Sequence, residues 1–378
     1  MIAELVATPS VSSVQPQLDT SNNPVCERLA GWLEHCGFDV ELMPVPERPG
    51  KTNLIARLGE GDDGLVLAGH TDTVPFDAGR WTRDPFMVSR QNDRLYGLGT
   101  ADMKSFLAIA TRVAAAFAGR RLRAPLTILA TADEESTMSG ARALAERGLP
   151  LGQRVIIGEP TGMRPIHQHK GIMMESIRIV GRSGHSSNPA LGRSALEGMM
   201  TVMEELRRLR KAFDADYRQP EFEVPEPTLN LGYIYGGDNP NRICAECELH
   251  IDVRLNPGMT VIETRRLLRE RVRQCLAGSE LSVQFQALFA GVDPLQGGDG
   301  PLLHACESAT DTGRGTVCFG TEGPFMQALG METVIMGPGS IDQAHQPDEY
   351  LELSGADRCA TVLERLIEQF CVIGEHPS

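Results

Sequence analysis

The sequence predicts an α/β fold, a mixed and largely parallel sheet covered by helices, with a second unit of α+β type inserted into it. Three observations carry this expectation. In the first part of the chain, short apolar runs alternate with amphipathic helical patterns, the signal of parallel strands with covered faces. From residue 172 the order becomes β-α-β-β-α-β, the split arrangement that closes as an antiparallel sheet with two helices on one face. After residue 288 the first alternation resumes, so residues 1–171 and 289–378 are expected to form one domain and residues 172–288 the other. A chain of 378 residues also exceeds what one hydrophobic core usually supports.

The elements follow in order. TNLIARL and LVLAGH read as strands, DMKSFLAIATRVAAAFAG as a helix, LTILATA as a strand, ARALAERG as a helix starting near Ser139, and RVIIGEP as a strand. These strands are short continuous apolar runs, as expected where both faces of a sheet are covered. In the insert, GIMMESIRIVGR alternates as a half-buried strand, and SALEGMMTVMEELRRLRKAF has apolar residues at helical spacing. TLNLGYIY and ICAECELHIDVR are strands around a Gly-Asp-Asn-Pro loop, TVIETRRLLRERVRQCL is a helix and LSVQFQAL a strand. PLLHACESATD is then a helix, GTVCFGT and ETVIMG are strands, and SGADRCATVLERLIEQF is the last helix. RQPEFEVPEPT, rich in Pro and Glu, reads as a flexible or surface loop.

Composition narrows the function classes. Lys plus Arg number 36 against 50 Asp plus Glu, a net charge of -14, which argues against nucleic acid or an anionic membrane as partner. No run approaches the roughly 20 apolar residues of a membrane span. The start, MIAELVATPSVSSV, lacks the basic and apolar regions of a signal peptide, so a cytoplasmic location is expected. Nine cysteines without framework spacing suit a reducing compartment. Cys244 and Cys247 form a C-x-x-C inside an expected strand, with no second pair to complete a zinc site. His167 and His169 share one face of a short strand and are read as structural.

Chemistry concentrates where the apolar strands stop. LVLAG ends on His70 with Asp72 two positions on, LTILATA runs into Asp133, Glu134 and Glu135, and RVIIG runs into Glu159. ETVIMG leads through GPGSIDQA to His345, and Asp102 stands at a Gly-rich turn before a helix. Each alone has an ordinary reading as a turn residue or helix cap. Together they converge on the carboxyl ends of one sheet, where α/β folds place their ligands, and gathered carboxylates repel unless a cation neutralises them. Imidazoles and carboxylates without a thiol suit zinc, cobalt or manganese better than calcium. Five ligands exceed the three of a single catalytic zinc. Two metals about 3.5–4 Å apart, sharing a carboxylate, account for the number.

GHTDTVP, RLYGLGTADMKS, ATADEES, IGEPT and AHQPDEY, with GRSGHSS in the insert, resemble the aminoacylase-like family of di-zinc peptidases and deacylases along nearly the whole chain. The resemblance implies a metal-dependent amidohydrolase acting on a small N-acyl amino acid. Nα-acetylornithine is the expected substrate, with succinyl-diaminopimelate, a dipeptide or another acylamino acid as alternatives. It implies two divalent cations per subunit, zinc or cobalt with manganese tolerated. His70, Asp102 and Glu159 would hold one, and Asp102, Glu135 and His345 the other, with Asp102 as the bridge. Asp72 would hydrogen-bond the far nitrogen of His70 and fix its tautomer. Glu134 matches the general base, which then returns the proton to the leaving amine. His185 matches a histidine that reaches across a homodimer to stabilise the oxyanion. A silent binding protein on this fold would have lost a ligand or the base, and all are present here.

Specificity rests on fewer residues. An α-carboxylate suits the fork of an arginine, and Arg254 in HIDVR and Asn241 in NPNRI resemble substrate-contacting positions. Glu322 in FGTEGPF follows another strand end and is expected to read a side-chain ammonium.

Overall fold

The computed structural model describes residues 1–148 and 151–373. The chain divides into two compact units, one of Met1–His167, Gly298–Gly315 and the residues from Glu322 onward, the other of Gln168–Gly297 with Thr316–Thr321.

An eight-stranded sheet runs in the order Asp39–Pro44, Thr52–Leu58, Leu126–Thr131, Leu65–His70, Arg154–Pro160, Glu332–Gly337, Ile166–His169, Gly315–Val317. Leu126–Thr131, Leu65–His70, Arg154–Pro160 and Glu332–Gly337 are parallel to one another. Thr52–Leu58 and Ile166–His169 join them antiparallel, which makes the sheet mixed with a parallel centre, as the alternation predicts. Every residue of Leu65–His70 and Leu126–Thr131 is buried, because the helices Asn23–His35, Lys104–Ala115, Pro301–Thr310 and Leu353–Cys371 pack with the sheet in one apolar cluster. Neither Asn23–His35 nor the edge strand Asp39–Pro44 is among the elements expected from sequence. The helix does carry a legible stripe in Val25, Cys26, Leu29, Ala30 and Leu33, whereas no residue of the strand is fully buried. A small sheet of Ser89–Gln91, Arg94–Tyr96 and Tyr350–Glu352 completes the unit.

Register sets the level of the strand ends. His70 pairs with Thr131 and Ala68 with Ile157, so two residues further along their strands His70 and Glu159 come to one height. The four parallel strands therefore deliver their carboxyl ends side by side.

The second unit is the β-α-β-β-α-β arrangement. Its sheet has the order Thr228–Gly236, Glu246–Leu255, Gly171–Val180, Ser282–Ala287, antiparallel throughout. Alternate residues Cys247, Leu249, Ile251, Val253 and Leu255 are buried, and the helices Ala195–Tyr217 and Val261–Cys275 cover that face. Ser194 and Thr260 cap the two helices, each hydroxyl accepting an N–H three residues on, from Glu197 and Glu263. The loop read as flexible or surface lies mostly at the surface but is anchored there: Phe222 is 2 % exposed, and Asn256 Nδ2 donates to the Pro225 carbonyl (2.7 Å). Pro and Glu content reports polarity here, not freedom. Among the described residues no helix is long and apolar enough to cross a membrane.

Candidate metal centre

His70 closes its strand 1 % exposed. Its Nδ1 lies 3.0 Å from the carbonyl oxygen of Asp72, a group that can only accept, so this nitrogen carries the proton. Nε2 then faces Asp102, 3.0 Å from Oδ1. Asp72 thus takes the far nitrogen of His70 through its main-chain carbonyl and not through its carboxylate. That carboxylate stands 3.7 Å away, because it accepts the backbone N–H groups of Glu134 (3.3 Å) and Glu135 (3.1 Å) instead. Asp72 thus orients His70 through its main chain and ties the turn of the two glutamates to the same strand end.

Asp102 is not the cap of the following helix, which has no side-chain cap. Its carboxylate turns the other way and lies between two imidazoles, with Oδ2 3.6 Å from Nε2 of His345. His345 Nε2 is also 3.0 Å from Glu135 Oε1. Ligand atoms of His70, Asp102 and Glu135 all lie within 4.8 Å of one another. Glu159 is 5 % exposed, and its Oε1 has no hydrogen-bond partner among the described residues.

Packing beneath the strands holds these groups in place. The turn before Asp102 needs Gly99, whose φ of +82° is left-handed and where a Cβ would crowd Thr73 and Lys104. Lys104 is fully buried and spans to the carbonyls of Leu5 (3.1 Å) and Thr8 (2.7 Å). A Cβ on Gly158, just before Glu159, would fall 2.0 to 2.3 Å from ring atoms of Phe106. Only a residue without a side chain lets the helix bearing Phe106 approach the strand so closely, and Asp102 stands four residues before that ring.

Electrostatics shows how these groups act on one another. Burial, and then the charge of Asp102, pushes the carboxyl of Glu159 well above the usual range. Burial and the charge of Glu159 do the same to Glu134, and Glu135 is raised by burial and by Asp102. Burial disfavours the His70 imidazolium, yet its hydrogen bond to Asp102 and the carboxylates around it hold its pKa well above normal. The hydrogen bond to Glu135 lifts His345 to about 9. Acids that resist ionising and imidazoles that cling to protons are the response of a ligand set balanced for cations. With Glu159 Oε1 orphaned and no thiol nearby, the donor set fits divalent metal ions of the zinc type.

Two residues to which no role was assigned from sequence support the turn. Asp133 is buried with φ +61° and paired to Lys51 (2.9 Å) and Arg48 (2.7 Å), with Ser139 donating to it (2.8 Å). Asn53 Oδ1 accepts from Ala132 N (3.1 Å) while its Nδ2 donates to the Gly140 carbonyl (2.9 Å). No local pattern marks the role of either.

The remaining expected residues are spread out. Glu322 is 1 % exposed and accepts the Thr131 hydroxyl (2.7 Å), with its other oxygen unpartnered among the described residues; burial lifts its carboxyl to about 7. His185, Asn241 and Arg254 belong to the second unit. His185 is exposed, with Nδ1 accepting from the Ser187 hydroxyl (2.7 Å), and Ser186 N donates to the Asn241 carbonyl (3.0 Å). Arg254 Nε donates to Asp252 (2.9 Å). Cys244 and Cys247 are free thiols, and His169 is occupied by the Lys170 carbonyl and the Thr321 N–H.

Known proteins resemble this chain along its length. The model of Peptidase family M20/M25/M40 matches residues 66–369. An acetylornithine deacetylase of Edwardsiella ictaluri is 47 % identical over 371 residues, 97 % of this chain and 96 % of that protein. One of Proteus mirabilis is 45 % identical over 373 residues, 98 % of this chain and 95 % of that protein. The crystal structure of a tripeptidase from Staphylococcus aureus superposes with a TM-score of 0.75 at 20 % identity, covering 98 % of this chain and 96 % of its own.

Proposed function

Because the chain belongs to Peptidase family M20/M25/M40, we propose that it is a metal-dependent amidohydrolase that cleaves Nα-acetyl-L-ornithine to acetate and L-ornithine, a step toward arginine. The observation that carries this reading is the identity of 47 % and 45 % to relatives named acetylornithine deacetylase, spanning 97 % and 98 % of the chain. The convergence of His70, Asp102 and Glu135 at the strand ends supports the metal dependence.

On this reading His70, Asp102 and Glu159 hold one divalent cation and Asp102, Glu135 and His345 the other, zinc or cobalt with manganese tolerated. When bound, such a pair supplies Lewis acidity toward the substrate carbonyl and the attacking water. Glu134 takes the proton of that water and hands it to the leaving nitrogen, one carboxylate serving as base and then as acid. Asp72 keeps His70 in one tautomer and the Glu134 turn in register with it. His185, donated by the partner subunit of a homodimer, steadies the oxyanion. Arg254 and Asn241 receive the α-carboxylate and Glu322 the side-chain ammonium. We assign the protein to the cytoplasm.

The test is ornithine release from Nα-acetylornithine by chelator-stripped protein, before and after adding zinc or cobalt, with succinyl-diaminopimelate and acetylmethionine alongside. Metal-restored activity selective for acetylornithine is expected. Activity confined to another amide would move the substrate, and activity without metal would overturn the mechanism.

A further inference from the structure

The glutamate of AHQPDEY takes no part in the ligand set, yet its carboxylate is buried beside it and held by three backbone N–H groups. Glu349 is 2 % exposed. Its Oε1 accepts the backbone N–H groups of Ala101 (2.6 Å) and Asp102 (3.0 Å), and its Oε2 accepts that of Gly99 (2.9 Å). Its own carbonyl accepts the N–H of Gly97 (3.0 Å) and the hydroxyl of Thr100 (3.4 Å). The turn from Gly97 to Asp102 is therefore wrapped on one residue. Successive N–H groups aimed at one point make an anion-binding concavity, and here the chain fills it from within. Another buried carboxyl group beside Asp102 is costly, and three backbone hydrogen bonds oppose that cost.

We infer that Glu349 is a positioning residue: it fixes the separation of Asp102 and His345 and so sets the affinity of the cation site they share with Glu135. The inference rests on the metal reading above. His345 lies four residues before Glu349 in the same loop, and Asp102 N is one of the three donors, so two of the three chain segments of that site converge on this carboxylate. Their side chains meet at 3.6 Å. The other cation's ligands depend on it less. His70 and Glu159 stand on strands whose register is set by the sheet, and only Asp102 belongs to the turn. An amide in place of the carboxylate keeps one oxygen for two donors but presents an NH₂ to the third, donor against donor.

The experiment titrates metal-free wild type and Glu349→Gln with Zn²⁺ by calorimetry and with Co²⁺ by absorption spectroscopy. Wild type should bind in two steps. In Glu349→Gln one step should weaken about 10- to 100-fold, the usual cost of removing a ligand-orienting partner, and it should be the step that His345→Ala abolishes. Leu351→Ala, which empties a buried core position two residues on, is the control for general softening. Should the amide variant fail to fold, Glu349→Asp, which keeps the charge but withdraws it by one methylene, carries the same test. Unchanged steps in the Glu349 variant, or equal weakening in Leu351→Ala, would overturn the inference and leave the metal reading standing. A wild type that binds no metal would overturn both.

Discussion

One methyl group at Gly158 should damage fold and site together. Its Cβ would stand 2.0, 2.2 and 2.3 Å from Cγ, Cδ1 and Cδ2 of Phe106, where carbon atoms normally keep about 3.5–4.0 Å. Something must therefore move by more than about 1 Å. Phe106 is 1 % exposed and has nowhere to turn, and the strand of Gly158 is hydrogen-bonded to parallel neighbours on both sides. Overpacking of this kind costs about 1–3 kcal/mol. If the strand yields, Glu159 moves with it, and if the helix yields, Asp102 moves. A misplacement of about 1 Å can cost about 100-fold in rate. Gly158→Ala should accordingly lower the denaturant midpoint, reduce bound metal and cut ornithine release. Phe106→Ala in the same background removes all three clashing atoms, so the pair should show a coupling of about 0.5–3 kcal/mol rather than additivity. A Gly158→Ala protein with wild-type midpoint and metal content, or strict additivity with Phe106→Ala, would refute the argument.

Three further outcomes are expected. Glu134→Gln should lose about 100- to 10,000-fold in turnover, the scale of general acid–base catalysis, with metal content kept; loss of metal would make Glu134 a ligand. His185→Ala should lose about 100- to 1,000-fold, as for one oxyanion donor, with both metals retained, and full turnover would remove it from the mechanism. Burial lowers the pKa of His169 from 6.5 to about 4. The unfolded chain then takes the proton first, so this stabilisation is present above pH 6.5 and is lost as pH falls toward 4, on the order of 3 kcal/mol in all. His169→Gln should flatten the denaturant midpoint across that window, and an unaltered pH dependence would dismiss His169 as its source.

The parts of this molecule that could be read from sequence are those that repeat locally or break off abruptly. Period-two and helical patterns yield the β-α-β-β-α-β unit and the parallel centre, and ligand-type residues stand out because each follows an apolar run. Asp133, Glu134 and Glu135 are where this kind of reading stops. In sequence they are three acids in a row, yet Asp133 turns away at φ +61° to meet Lys51 and Arg48, and the N–H groups of the other two are claimed by Asp72. Those partners lie 62 to 85 residues away, beyond any periodicity. The same holds for Glu349, whose donors are 247 to 250 residues distant. Residue type at a strand end thus announces a ligand set, while the assignment of each acid to ligand, base or brace depends on which backbone N–H or cation reaches it first. That choice is made by the packed sheet and its turns. It explains why Asp72 serves His70 through a carbonyl while its carboxylate holds the turn that carries the base.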